Sequence, residues 1–151
     1  MASKAKTARP PARKKTARPE RKKPETLRLS SISPSLTVND LQRSIAWYRD
    51  VLGFKVDEEW KHNGQVMGAS LKAGTVTVML GQDDFALGRD RRKGEGLRFY
   101  CSTRQDIDQL ADMIKARGAT LLEEPKNQPW GARDFAVADP DGFKITISTA
   151  L

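Results

Sequence analysis

The sequence predicts an α+β fold in which two βαβββ modules form a curled mixed sheet, a half-barrel with the helices outside. Three observations predict it. The order strand, helix, strand, strand, strand is written twice in the hydrophobic periodicities. Paired landmarks keep a near-constant offset: Leu41 to Ile107 is 66 residues, Gly53 to Gly118 is 65 and Gly74 to Gly142 is 68. An offset that steady marks duplication of one unit. Each unit alone is too small to cover its own sheet, so two units must bury their apolar faces together.

The elements follow in order. Leu36-Thr37-Val38 reads as a short strand, and Asn39 or Asp40 caps the helix after it. That helix carries Leu41, Ile45, Tyr48 and Leu52 at helical spacing and stops at Gly53. Phe54 opens a strand running to about Trp60, Gly64 marks a turn, and Val66 to Leu71 is a third strand. Thr75 to Leu80 is a fourth, rich in β-branched residues. In the second half, Leu97 to Cys101 is a strand and Asp106 opens a helix with Ile107, Leu110 and Ile114 on one face and Gly118 as its stop. Strands at Ala119–Leu122, Arg133–Ala138 and Phe143–Ser148 follow. The last two are joined by Asp139-Pro140-Asp141-Gly142, where Pro fixes φ and Gly tolerates positive φ.

Charge divides the chain. Of its 151 residues, numbers 1–26 hold ten bases (Lys4, Lys6, Arg9, Arg13, Lys14, Lys15, Arg18, Arg21, Lys22 and Lys23) against two acids, Glu20 and Glu25. This segment therefore carries +8, the net charge of the whole chain, and the body is neutral. It has almost nothing to bury, and its prolines at 10, 11, 19 and 24 bar a continuous helix, so disorder is expected. Lys-Thr-Ala-Arg-Pro occurs twice in it, at 6–10 and 15–19, and the composition resembles histone H1-like basic tails. Two readings stand side by side: nonspecific contact with nucleic acid or another polyanion, or a solubilising extension without a partner. The expected organisation is a disordered basic tail at 1–26 and a domain at 27–151. Within the domain, module one spans 30–81, a charged linker 82–95 and module two 96–149.

The single cysteine, Cys101, rules out an intramolecular disulfide and suits a reducing compartment. No apolar run reaches the roughly 18–20 residues of a membrane span, and no apolar segment follows the basic N-terminus as a secretory signal would require. A cytoplasmic place, nucleoid-associated if the tail binds nucleic acid, is expected, with no membrane partner.

Two motifs carry a family resemblance. Asn39-Asp40-Leu41 with Ser44-Ile45-x-Trp47-Tyr48-Arg49-Asp50-x-Leu52-Gly53-Phe54 resembles the first-module signature of the vicinal oxygen chelate superfamily, which includes glyoxalases, bleomycin-resistance proteins and extradiol dioxygenases. Trp130-Gly131-x-Arg133-x-Phe135-x-Val137-x-Asp139-Pro140-Asp141-Gly142 resembles its second-module ending, and the resemblance covers about residues 30–149. Metal-using members take one His or Glu from the first strand of each module and one Glu from the last. Matched residue by residue, those positions hold Ser33, Met79, Leu97 and Thr146, none of which is a competent ligand for a divalent ion. No metal, no cofactor and no catalytic residue is therefore expected.

Strand alternation anchored on those positions turns Ser33, Ser35, Thr75, Thr77, Met79, Leu97, Phe99, Cys101, Asp134, Ala136, Lys144, Thr146 and Ser148 inward. Trp60 and Trp130 stand near the cleft mouths, placed to stack on a planar ligand or to pack at an interface. The ligand-binding set is then Ser33, Ser35, Trp60, Thr77, Met79, Leu97, Phe99, Cys101, Trp130, Asp134 and Thr146. Asp134 faces either a cationic ligand or Lys144. His62, the only histidine, sits in a loop, and Arg133 points away and braces structure. The function this implies is metal-independent binding of an aromatic or amphipathic small molecule by a homodimer similar to the bleomycin-resistance branch. Two alternatives are a nucleic-acid-associated protein using its tail, with the domain as dimerisation or sensor module, and a metal-free lyase or isomerase of the same fold.

Overall fold

The computed structural model describes Leu27 and residues 29–151, so the basic tail lies outside the described residues. Ser33–Leu151 form one compact unit. That unit contains β1 (Ser35–Val38), α1 (Leu41–Asp50), β2 (Lys55–His62), β3 (Gln65–Ala73), β4 (Val76–Gln82), β5 (Arg98–Ser102), α2 (Ile107–Ala116), β6 (Leu121–Gln128), β7 (Ala132–Ala138) and β8 (Lys144–Ala150). The βαβββ order is repeated as the duplication predicts. No helix among the described residues is long and apolar enough to cross a membrane.

The strands make two four-stranded mixed sheets, ordered β1-β4-β3-β2 and β5-β8-β7-β6. In each, the first strand of the module pairs in parallel with the last and the other pairs are antiparallel. Asp40 and Asp106 cap the helices by accepting from the backbone N–H of Arg43 and Gln109, each three residues on. At the β2–β3 hairpin, Asn63 and Gly64 both take positive φ, as a two-residue turn between twisted strands demands.

Each helix covers one face of its own sheet. Leu36, Val38, Ala69, Leu71, Val78 and Leu80 line that face of the first sheet beneath Leu41, Ile45 and Tyr48 of α1. Phe135 of the second sheet packs with Ile107, Ala111 and Ile114 of α2. The first cluster also includes Val137, Phe143 and Ile145 of module two, so the helix-covered faces of the two sheets share one core. The two mixed sheets are not closed into barrels. Their opposite faces, here called the open faces, lie on the two outsides of the shared core.

Polar contacts fix this packing. The buried Tyr48 hydroxyl donates to Asp139 Oδ2 (3.1 Å), while Asp139 Oδ1 accepts from the N–H groups of Asp141 and Phe143. Asp141 accepts from Asn39 N–H and from the Ser44 hydroxyl. The Asp-Pro-Asp-Gly turn of module two is thereby tied to α1 of module one. Burial pushes the Asp139 carboxyl up from its ordinary value and the Tyr48 phenol up as well.

Candidate functional site

The open face of the first sheet is set by the ladder. Ser35 lies opposite Met79, Ser70 opposite Met79 on the other side, Lys72 opposite Thr77 and Gly68 opposite Trp60. Ser35 is exposed, Thr77 and Met79 are half-buried, and Ser33 precedes the strand, also half-buried. The Trp60 indole lies against Gly68: a Cβ there would stand 2.7 Å from Trp60 Cε3, so only glycine lets the ring rest flat on the sheet. Trp60 stays 39% exposed. His62 ends β2, exposed.

The open face of the second sheet departs from expectation in one strand. Leu97 precedes β5 and is exposed, whereas Phe99 and Cys101 turn into the shared core. Arg98, Tyr100 and Ser102 take the open face instead, opposite Lys144, Thr146 and Ser148. The expected inward placement of Leu97, Phe99 and Cys101 is thus corrected by one residue. The reason is plain in hindsight: an apolar alternation such as Leu97, Phe99, Cys101 belongs beneath a helix, and the polar alternation between them belongs in solvent. Burial pushes the Cys101 thiol up from its usual value.

Polar side chains on this face knit together. Arg98 Nη1 donates to Thr146 Oγ1 (3.2 Å) and to Glu123 Oε1 (3.3 Å), and Glu123 is held below the ordinary carboxylate range by Lys126 and Arg98. The Tyr100 hydroxyl lies 2.8 Å from Ser148 Oγ and 3.4 Å from Asp134 Oδ2, and Gln128 Nε2 donates to Asp134 Oδ1 (2.7 Å). Asp134, only 3% exposed, is met by an amide and a phenol. Lys144, weighed as its partner, is not one of these contacts. Arg133 points to the other side and grips Asp108 of α2 through two bonds of 2.7 and 2.8 Å.

A cavity of about 590 Å³ opens beside this network, between Tyr100, Arg104, Trp130 and Ser148. Trp130 stands in the β6–β7 turn, 65% exposed, and Tyr100 is 52% exposed. Tyr100, which lines this cavity, and Arg98 and Gln128, which belong to the polar network beside it, were missed by the sequence reading. The offset that relates the modules carries the signal: Ser33 and Ser35 displaced by 65 residues land on Arg98 and Tyr100, not on Leu97. With that register, the four positions weighed as metal ligands in the sequence become Ser33, Met79, Arg98 and Thr146. Two hydroxyls, a thioether and a guanidinium are not the carboxylate, imidazole or thiolate set a divalent ion requires. Among the described residues no three His, Cys, Asp or Glu side chains converge.

The family model described as Glyoxalase/Bleomycin resistance protein/Dioxygenase superfamily matches residues 28–147. The chain belongs to this superfamily. Glutathione transferase FosA of Serratia marcescens is 25% identical to it over 114 residues, 75% of each chain. Lactoylglutathione lyase GLX1 of Arabidopsis thaliana is 28% identical over 117 residues, which are 73% of this chain but only 40% of that longer protein. Among solved structures, TioX from Micromonospora sp. ML1 superposes with a TM-score of 0.66 at 23% identity, covering 81% of this chain and 99% of TioX. TnmS3, an antibiotic binding protein from Streptomyces sp. CB03234, gives 0.66 at 22% identity, covering 83% of this chain and all of TnmS3. At such identities the structural matches speak for the fold, which this superfamily member shares with both.

Proposed function

We propose that this protein binds a planar aromatic or amphipathic small molecule on the open faces of its sheets, without a metal, and does so as a homodimer. The observation that carries this reading is the cavity of about 590 Å³ between Tyr100 and Trp130, beside the hydroxyl, phenol and carboxylate network of Ser148, Tyr100 and Asp134. Its volume suits a drug-sized molecule, and aromatic walls with a few convergent polar groups are what such ligands select. The donor chemistry at Ser33, Met79, Arg98 and Thr146 argues for metal independence. The Arg98 guanidinium, bonded to Thr146, adds a positive charge where relatives would need to attract an ion. That TnmS3 is an antibiotic binding protein with the same fold is in keeping with the reading.

The test is a titration of the full chain with a planar tricyclic dye such as proflavine, read by tryptophan quenching, with and without EDTA. Saturable quenching indifferent to EDTA is expected. Tyr100→Ala and Trp130→Ala should each weaken binding by about threefold to tenfold, the value of one aromatic contact of roughly 0.5–1.5 kcal/mol. Affinity that needs added divalent ion, or that ignores both substitutions, would overturn the proposal.

A further inference from the structure

The duplication supplies its own control for reading a second site. In module two the loop between β7 and β8 spans five residues, and in module one the β3–β4 turn spans two, Gly74 and Thr75. The long loop covers α1 and is caught there by Tyr48 and Ser44. The residues 66 positions later on α2 are Ile114 and Leu110, which have no hydroxyl to offer, and the short turn does not reach across. Where one half of the molecule has a hydrogen-bonded lock, the other half has a groove of about 680 Å³.

Phe54, Val76, Leu110, Met113 and Ile147 wall this groove, and Cys101 is part of its lining. Val76 and Met113 remain more than a third exposed, so apolar surface is left uncovered. Arg117 is the one charged side chain in the lining. Its Nη1 donates to the Val51 carbonyl (3.2 Å), and among the described residues no carboxylate pairs with it. An apolar trough with a single guanidinium at its rim is complementary to an amphipathic anion. The body lies along the aliphatic walls and the carboxylate takes the unused Arg117 donors.

We propose that this groove is a second small-molecule site, taking an amphipathic carboxylate of medium chain length. It lies on the helix-covered side of the sheets, so it does not depend on the open-face reading. The only thiol in the chain reports on it. The full chain is treated with N-ethylmaleimide in the presence of decanoate, below its micellar range, or of decyltrimethylammonium as the cation of matched tail. Decanoate is expected to slow modification of Cys101 at least tenfold at saturation, and the cation is not. Arg117→Gln should weaken decanoate about tenfold, the weight of a charge-assisted hydrogen bond. Met113→Trp, which fills the groove, should abolish the protection. Calorimetric titration with decanoate gives the same comparison without the thiol. No saturable heat and no protection, or equal protection by anion and cation, would overturn the proposal.

Discussion

A single buried carboxylate shows what the linker between the modules is for. Asp83 accepts from Lys93 Nζ at 2.5 Å, Arg91 Nη2 at 3.1 Å and Phe85 N–H at 2.8 Å, and its side chain is 5% exposed. The Lys93 hydrogen bond, first, and then the Phe85 N–H hold its carboxyl below the usual range. A group whose pKa is lowered by folding stabilises the fold above its unfolded value, near 3.9, and that contribution drains away as pH falls through the folded value. The urea midpoint should therefore fall between about pH 5 and pH 3. Asp83→Asn should flatten that part of the fall. Lys93→Met should harm stability at pH 7 more than Arg91→Met, because Lys93 is enclosed and Arg91 is 37% exposed. Parallel pH profiles for wild type and Asp83→Asn would remove Asp83 from this role.

At the scale of elements, the joint between α1 and the β7–β8 loop rests on Tyr48. Its hydroxyl is one of three donors to Asp139, and the other two are backbone groups within the loop itself. Tyr48→Phe keeps the ring packed against Trp47 and Phe54 and deletes one hydrogen bond between the modules. A hydrogen bond to a charged acceptor is worth about 1.5–3 kcal/mol, so denaturant unfolding of the variant should show a loss of that size. A loss under about 0.5 kcal/mol would mean that the Asp141 contacts and the shared apolar core hold the joint without the Tyr48 bond.

The sequence made some of these elements plain and concealed others for physical reasons. Both helices were legible because capping aspartates and a 3.6-residue apolar period agree in them. The strand expected at Ala119–Leu122 runs instead as Leu121–Gln128, past Pro125, which cannot donate to a ladder. It continues because β6 is an edge strand, and the ladder is irregular between Glu123 and Lys126. In β5 the alternation told which residues share a face but not which face the helix covers. That one ambiguity misdirected Leu97, Phe99 and Cys101 and hid Arg98 and Tyr100.

For the molecule as a whole, duplication was legible in spacing, but the way the two copies pack was not. The shared core lies on the helix-covered faces of the two sheets, so the open faces are the ones turned away from it. Trp60, Tyr100 and Trp130 are left 39%, 52% and 65% exposed, an arrangement that leaves large aromatic surface in water. A two-fold dimer in which the first sheet of one copy faces the second sheet of the other would cover these rings on both sites at once, since an isologous contact repeats itself. Sedimentation of the full chain should then give twice the 16.8 kDa chain mass at micromolar concentration. Trp130→Glu and Trp60→Glu, placing unpaired charge in that interface, should each shift the protein toward monomer and lower dye affinity in step. Met113→Glu, on the groove away from the open faces, should do neither. A dimer broken by Met113→Glu and untouched by the tryptophan variants would place the assembly surface on the helix side, and a monomer at all accessible concentrations would leave the open faces to bind alone.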